Sequence, residues 1–172
     1  MIRILAPLFM TASLMAGFPS TQEALALAFP GAQFTRKEHW LTETQARRVK
    51  DLAGTPLPGL WQVAYEARKN GDLLGVAFID SHRVRTLQET LLVAVAPDGH
   101  LLRVEVLAFR EPQDYLAKEA WVRQFEGKKL DAELSLRGAI RPLSGSTLTA
   151  NAMTDAARRA LSLHRILYGE AK

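Results

Sequence analysis

The 172-residue chain has no cysteine. That absence excludes disulfides, iron–sulfur clusters, thiolate zinc sites and the C-x-x-C-H attachment of c-type haem. Histidine is scarce as well. The four, His39, His82, His100 and His164, include no two at the three- or four-residue spacing that puts a metal pair on one helix face. Redox chemistry in this chain therefore calls for an organic cofactor. Long runs of one charge are missing too. The net charge is +4 and the pI about 9.6, but the densest basic clusters are the pairs Arg36-Lys37, Arg47-Arg48 and Lys128-Lys129. Without interleaved aromatics such pairs are a solvated surface and argue against nucleic-acid binding.

What is present suits one globular domain. Apolar residues make up 48% and charged residues 23%, enough to bury a single core. The first residues read differently. Arg3 supplies a positive charge, and Ile4–Phe18 is charge-free and rich in Leu, Phe and Met. That length is short for a membrane span and right for the core of an export signal. Ala16, Gly17 and Ser20 offer small residues for cleavage. Ala24-Leu25-Ala26 fits A-x-A, but Glu23 beside it argues against cleavage there. Residues 1–20 are thus expected to be a signal peptide or N-terminal anchor, and 21–172 the folded domain, in the periplasm or on the outer face of the cytoplasmic membrane.

Local patterns give the elements. Ser20-x-x-Glu23 is a capping box opening a helix over about 21–29, stopped by Pro30-Gly31; Thr42-x-x-Gln45 opens a second, to Ala53, ended by Gly54. The stretch 54–59 is a rigid Pro/Gly loop. A meander follows. Strands are expected at 60–67, with Trp61, Val63 and Tyr65 on one face, and at 73–79 after the hairpin signal Asn70-Gly71. Two more are expected at 85–96 and, beyond the turn Pro97-Asp98-Gly99, at 101–109. Gln113–Phe125 reads as a helix, Leu134–Ile140 as a fifth strand or an extended arm, and Leu148–Tyr168 as a long helix with Ala152, Ala156, Ala160, Leu163 and Leu167 on one face. The fold class is α+β: an antiparallel meander of four or five strands, short N-terminal helices, and a long C-terminal helix packed on the sheet.

Chemistry concentrates in Ser144-Gly145-Ser146-Thr147-Leu148-Thr149, directly before the last helix. Free N–H groups and the dipole at a helix start favour an anion such as phosphate, and a glycine lets backbone approach a ligand. The same residues also make an ordinary cap and turn, with Thr147 or Thr149 as N-cap. Elsewhere, Glu105 and Glu111 form a possible carboxylate pair, or else a solvated strand residue and a turn residue. His82 beside Arg83 and Arg85 offers charge to an anionic ligand or lies on the surface. Trp61, Trp121 and Tyr115 are rings that stack on a flat cofactor or fill the core.

The segment 144–149 resembles the S-G-A-T-x-T motif of the FMN-binding domain family, which includes flavin subunits of Rnf electron-transport complexes and sodium-translocating NADH:quinone reductases. Other pieces follow in the family's order: Leu73-Leu74-Gly75-Val76-Ala77, Val93–Gly99, Glu111-Pro112, and Trp121-x-x-Gln124-Phe125-x-Gly127-Lys128. Together they cover roughly residues 60–168. The resemblance implies FMN as cofactor, attached by a phosphoester to the threonine at position 147. A dedicated flavin transferase makes that bond from FAD with Mg²⁺ outside the cytoplasm. It implies cofactor-binding roles for Thr147, Ser144, Gly145, Ser146, Leu148, Thr149, Glu111 and Trp121, and no catalytic or metal-ligating residue. The expected function is electron transfer in an extracytoplasmic or membrane-associated redox chain, with a quinone-linked complex or a cytochrome as partner, as a carrier flavoprotein or complex subunit rather than a stand-alone enzyme. The alternatives are an exported module binding FMN non-covalently and a flavin-free structural or adaptor domain. The chain departs from the family pattern in three places. Arg141 stands where an acidic residue is usual, Ser146 stands for alanine, and Gln113-Asp114-Tyr115 replaces a glycine-rich continuation.

Overall fold

The computed structural model describes residues 17–169; all of the Ile4–Phe18 stretch that reads as an export signal, except its last two residues, lies outside them. The described chain runs α1 (Thr21–Ala28), β1 (Gln33–Trp40), α2 (Glu43–Ala53), β2 (Trp61–Lys69), β3 (Asp72–Arg83), β4 (Gln88–Val95), β5 (Leu101–Phe109), the short α3 (Glu119–Val122) and α4 (Thr147–Leu167). The five strands form one antiparallel sheet in sequence order.

Both expected capping boxes form. The Ser20 and Thr42 hydroxyls accept from the N–H groups of Glu23 and Gln45, whose side chains reach back to the caps. The β2–β3 hairpin turns at Asn70-Gly71, both with positive φ (54° and 92°), the conformation that makes this dipeptide a tight-turn signal. Strand alternation then sends side chains to two faces. Val76, Phe78, Leu91, Val93 and Val95 pack with α2 and α4 in the larger core. Ala67, Ala77, Leu92 and Ala94 pack beneath Ala24, Leu25 and Phe29 of α1 and the residue after it. The sheet is thus sandwiched between α1 on one side and α2 with α4 on the other. In α4, Ala156, Ala160 and Leu163 are buried, as the apolar stripe predicts.

Four expectations change. The fifth strand is β1, not Leu134–Ile140. Residues 134–140 form successive turns, anchored by buried Leu134 and Ile140. The helix expected over Gln113–Phe125 breaks into a 3₁₀ turn (Gln113–Tyr115), an extended step at Leu116, α3, and a second 3₁₀ turn (Arg123–Phe125). The Tyr115 carbonyl, which a continuous helix would use, accepts instead from the Thr149 hydroxyl at 2.8 Å. The strand expected from residue 85 starts at Gln88, because 84–87 is a turn closed by Val84 N–H donating to the Leu87 carbonyl. Finally, α4 begins at Thr147, so neither Thr147 nor Thr149 is the N-cap.

Candidate functional site

The segment singled out before α4 lines a cavity of about 350 Å³. Its lining is Gly145, Ser146, Thr147, Leu148 and Thr149, together with Val84 and Arg85 from the β3–β4 turn and Glu111 and Tyr115 from the chain after β5. Residues far apart in sequence are brought together because α4 lies on the sheet with its N-terminus at the end where β3 turns into β4.

Gly145 is in the left-handed region (φ +76°), and a Cβ built there meets no other atom. The glycine is needed by its backbone conformation rather than by crowding. Ser146 occupies the N-cap position, but its side chain caps nothing. The N–H groups of the first α4 turn are therefore left without a side-chain acceptor, at the rim of the cavity. A 21-residue helix with an uncapped, positively polarised start favours an anion there. The three hydroxyls of this segment differ. Ser146 is buried and its Oγ faces the Asp114 carbonyl at 3.5 Å. Thr149 is buried and donates to Tyr115. Thr147 is exposed on the first helical residue.

The 85–87 turn is held by Glu111. Its Oε1 accepts from the backbone N–H groups of Leu87 (2.7 Å), Thr86 (2.6 Å) and Arg85 (3.1 Å), with the Thr86 hydroxyl at 3.4 Å. These bonds, led by that from Leu87 and outweighing the cost of burial, hold the carboxyl below its ordinary range. Glu111 thus clamps the 85–87 turn that carries Arg85 into the cavity.

Trp121 does not line the cavity. Its indole N–H donates to the Arg141 carbonyl at 2.9 Å, Gln124 Oε1 accepts from Arg141 N–H at 2.6 Å, and the ring packs edge-on against Phe125. The W-x-x-Q-F element therefore grips the backbone at 141 and sets where the 142–146 loop begins. Ser144 is exposed just outside the lining residues. Trp61 lies against Trp40 on the outer strands, with ring centroids 6.4 Å apart, away from the cavity. Glu105 pairs with Arg103 along β5 and does not meet Glu111.

His82 is not a surface anion partner either. It sits between Asp80 (2.8 Å) and Glu89 (3.0 Å), and Asp80 takes both arms of Arg159 from α4. Burial alone would lower His82, but the bonds to the two carboxylates raise it to about 8. Burial works to raise Asp80, yet the bonds from Arg159 and His82 bring it down to about 2. Glu89, fully buried with Oε1 unpartnered, is pushed up by burial. None of the four lines the cavity. Sequence reasoning missed this network because alternating polar residues at a strand end look like a solvated face. The only signal was an arginine inside an alanine-rich helix.

A second cavity, about 380 Å³, lies among loop residues 127–139 and offers Lys128, Lys129, Asp131 and Glu133, with no hydroxyl and no helix start. Among the described residues no group of three or more His, Asp or Glu side chains is placed to hold a metal ion.

Comparison with known proteins supplies the assignment. No curated protein and no solved structure matches the chain. Residues 88–162 match the family model of the FMN-binding domain. The match runs from β4 into α4 and includes Glu111, Tyr115 and residues 145–149, so all of the cavity lining but Val84 and Arg85 lies within it. The exposed threonine hydroxyl, the uncapped helix start and the clamped turn fit a flavin phosphate and its ribityl chain. The match over residues 88–162 supports assignment of this part of the chain to the FMN-binding domain family and indicates FMN as its cofactor.

Proposed function

We propose that the chain is an extracytoplasmic electron carrier that holds FMN through a phosphoester on Thr147. The observation that carries this reading is the difference among the three hydroxyls at the cavity wall. Ser146 and Thr149 are buried against carbonyls of residues 114 and 115, whereas Thr147 is exposed beside the uncapped helix start. Attachment by a flavin transferase balances simply. Thr147 Oγ bonds to the FMN-side phosphorus of FAD, the pyrophosphate P–O bond breaks, AMP leaves, and the hydroxyl proton passes to the transferase. The diester keeps one negative charge at the α4 N-terminus, worth typically about 0.3–1 kcal/mol. Bound flavin supplies one- or two-electron transfer between a reduced donor and an oxidised acceptor. A quinone-linked complex and a cytochrome are the partner classes suited to that location. The protein's share is to hold the phosphate end, keep the 85–87 wall in place through Glu111, and limit water at the ring.

The test is the intact mass of exported protein made together with an active flavin transferase. The expected result is one FMN adduct, absent in T147A and retained in S146A. An adduct that persists in T147A overturns the position. Arg141, exposed where the family carries an acid, favours a second reading, in which the transferase does not act and FMN binds non-covalently. R141D should then gain the adduct that the unaltered chain lacks. Recovery of the protein only from the cytoplasm, with Met1 intact, would overturn the location.

A further inference from the structure

We propose that Arg85 makes this cavity selective for a phosphorylated flavin by pairing its guanidinium with the FMN phosphate, from the β3–β4 turn. The inference rests on the reading that the phosphate end of FMN lies at the α4 N-terminus. Arg85 lines the same cavity as that segment, yet it stands outside the family match at 88–162, so the family motif does not account for it. Among the described residues no carboxylate is within ion-pair distance of its side chain, and it is exposed to the cavity. Its nearest acid by connectivity, Glu111, spends Oε1 on three backbone N–H groups of the same turn.

The turn thus fixes where Arg85 starts while leaving its charge unpaired. A guanidinium in that position matches phosphate with two parallel, charge-assisted bonds. The uncapped N–H groups of the first α4 turn meet the same group. The phosphate is then held between a helix start and an arginine, a pairing a neutral riboflavin cannot use. Charge-assisted bonds of this kind correspond to about a tenfold to hundredfold preference in affinity.

The experiment uses full-length protein made without flavin transferase, titrated with FMN and with riboflavin and followed by flavin fluorescence. The unaltered protein is expected to bind FMN at least about tenfold more tightly than riboflavin. R85Q should bring that ratio close to one while leaving riboflavin affinity unchanged. R85K, which keeps the charge but loses the fork, should fall between them, and it carries the comparison if R85Q does not fold. Raising the salt concentration should weaken FMN binding, not riboflavin binding, and should do so less in R85Q. An FMN preference that survives unchanged in R85Q overturns the proposal. So does unaltered protein that binds the two flavins equally, or neither. Failure of covalent attachment at Thr147 would not alter this titration, so the two readings can fail separately.

Discussion

Arg159, midway along α4, forks onto Asp80 of β3 with two bonds of 2.7 Å in the interior of the domain. The pair ties the long helix to the sheet at a point where both side chains are almost wholly buried. Removing Arg159 leaves Asp80 with His82 as its remaining partner, and removing Asp80 takes the bidentate partner from a buried Arg159. R159M or D80L alone should therefore cost about 3–5 kcal/mol in urea unfolding. Replacing both should recover much of the loss, since an apolar pair needs no desolvation of charge. Additive losses in the double variant would show that the ion pair is not the link.

The same network predicts a pH dependence. His82 is raised from 6.5 to about 8. Its contribution is fully present below about pH 6.5 and is lost as the pH rises through about 8. The size is on the order of 2 kcal/mol. Thermal melts at pH 6 and pH 9 should differ accordingly, and H82Q should flatten the difference. Asp80 works in the opposite sense. Its ordinary 3.8 is lowered to about 2, so its contribution persists in mild acid and fades as the pH falls through about 2. A stability that climbs from pH 6 to pH 9 would contradict the arrangement.

The packing of α4 gives a simpler test. Ala156 has no exposed surface and faces the large core. A156E forces an unpaired carboxylate among apolar groups and should destabilise by more than about 3 kcal/mol. A melting temperature equal to that of the unaltered protein would mean that the helix presents a different face.

Glu111 should act on the cavity wall rather than on the whole domain. In E111A the N–H groups of Arg85, Thr86 and Leu87 lose their shared acceptor. Amide hydrogen exchange at 85–87 should quicken by an order of magnitude or more, with β5 and α4 protected as before, and flavin affinity should fall. Unchanged exchange at those three amides would show that Glu111 does not clamp the turn.

Thr149 separates support from attachment. T149V deletes the 2.8 Å bond to the Tyr115 carbonyl and leaves that acceptor unpaired. The expected cost is about 1–3 kcal/mol, with the flavin adduct on Thr147 still formed. Loss of the adduct in T149V, with the fold intact, would move Thr149 from support into the attachment site itself.

The features legible in the sequence are those made within a few residues. The two capping boxes, the Asn70-Gly71 hairpin, the alternation in β2 to β5, the alanine stripe of α4 and the hydroxyl-rich loop before it are local. Each is decided by φ/ψ preference or by side chains three or four positions apart, so composition and spacing reveal them. Strand β1 was not legible. Gln33-Phe-Thr-Arg-Lys-Glu-His-Trp40 is largely exposed and lacks apolar alternation; it is a strand because β2 offers it an open edge over eight paired residues. The helix expected at 113–125 fails for a matching reason. A distant hydroxyl on α4 takes the Tyr115 carbonyl that its first turn would need. The site divides along the same line. The sequence by itself determined a phosphate-friendly wall at 144–149, since glycine, hydroxyls and a helix start lie in one short run. Only the tertiary structure decided which hydroxyl is free, that Trp121 braces Arg141 instead of meeting the cavity, and that Arg85 and Glu111 line the same cavity. Those facts depend on contacts between residues dozens of positions apart, which the packing of α4 on the sheet brings together and no local pattern encodes.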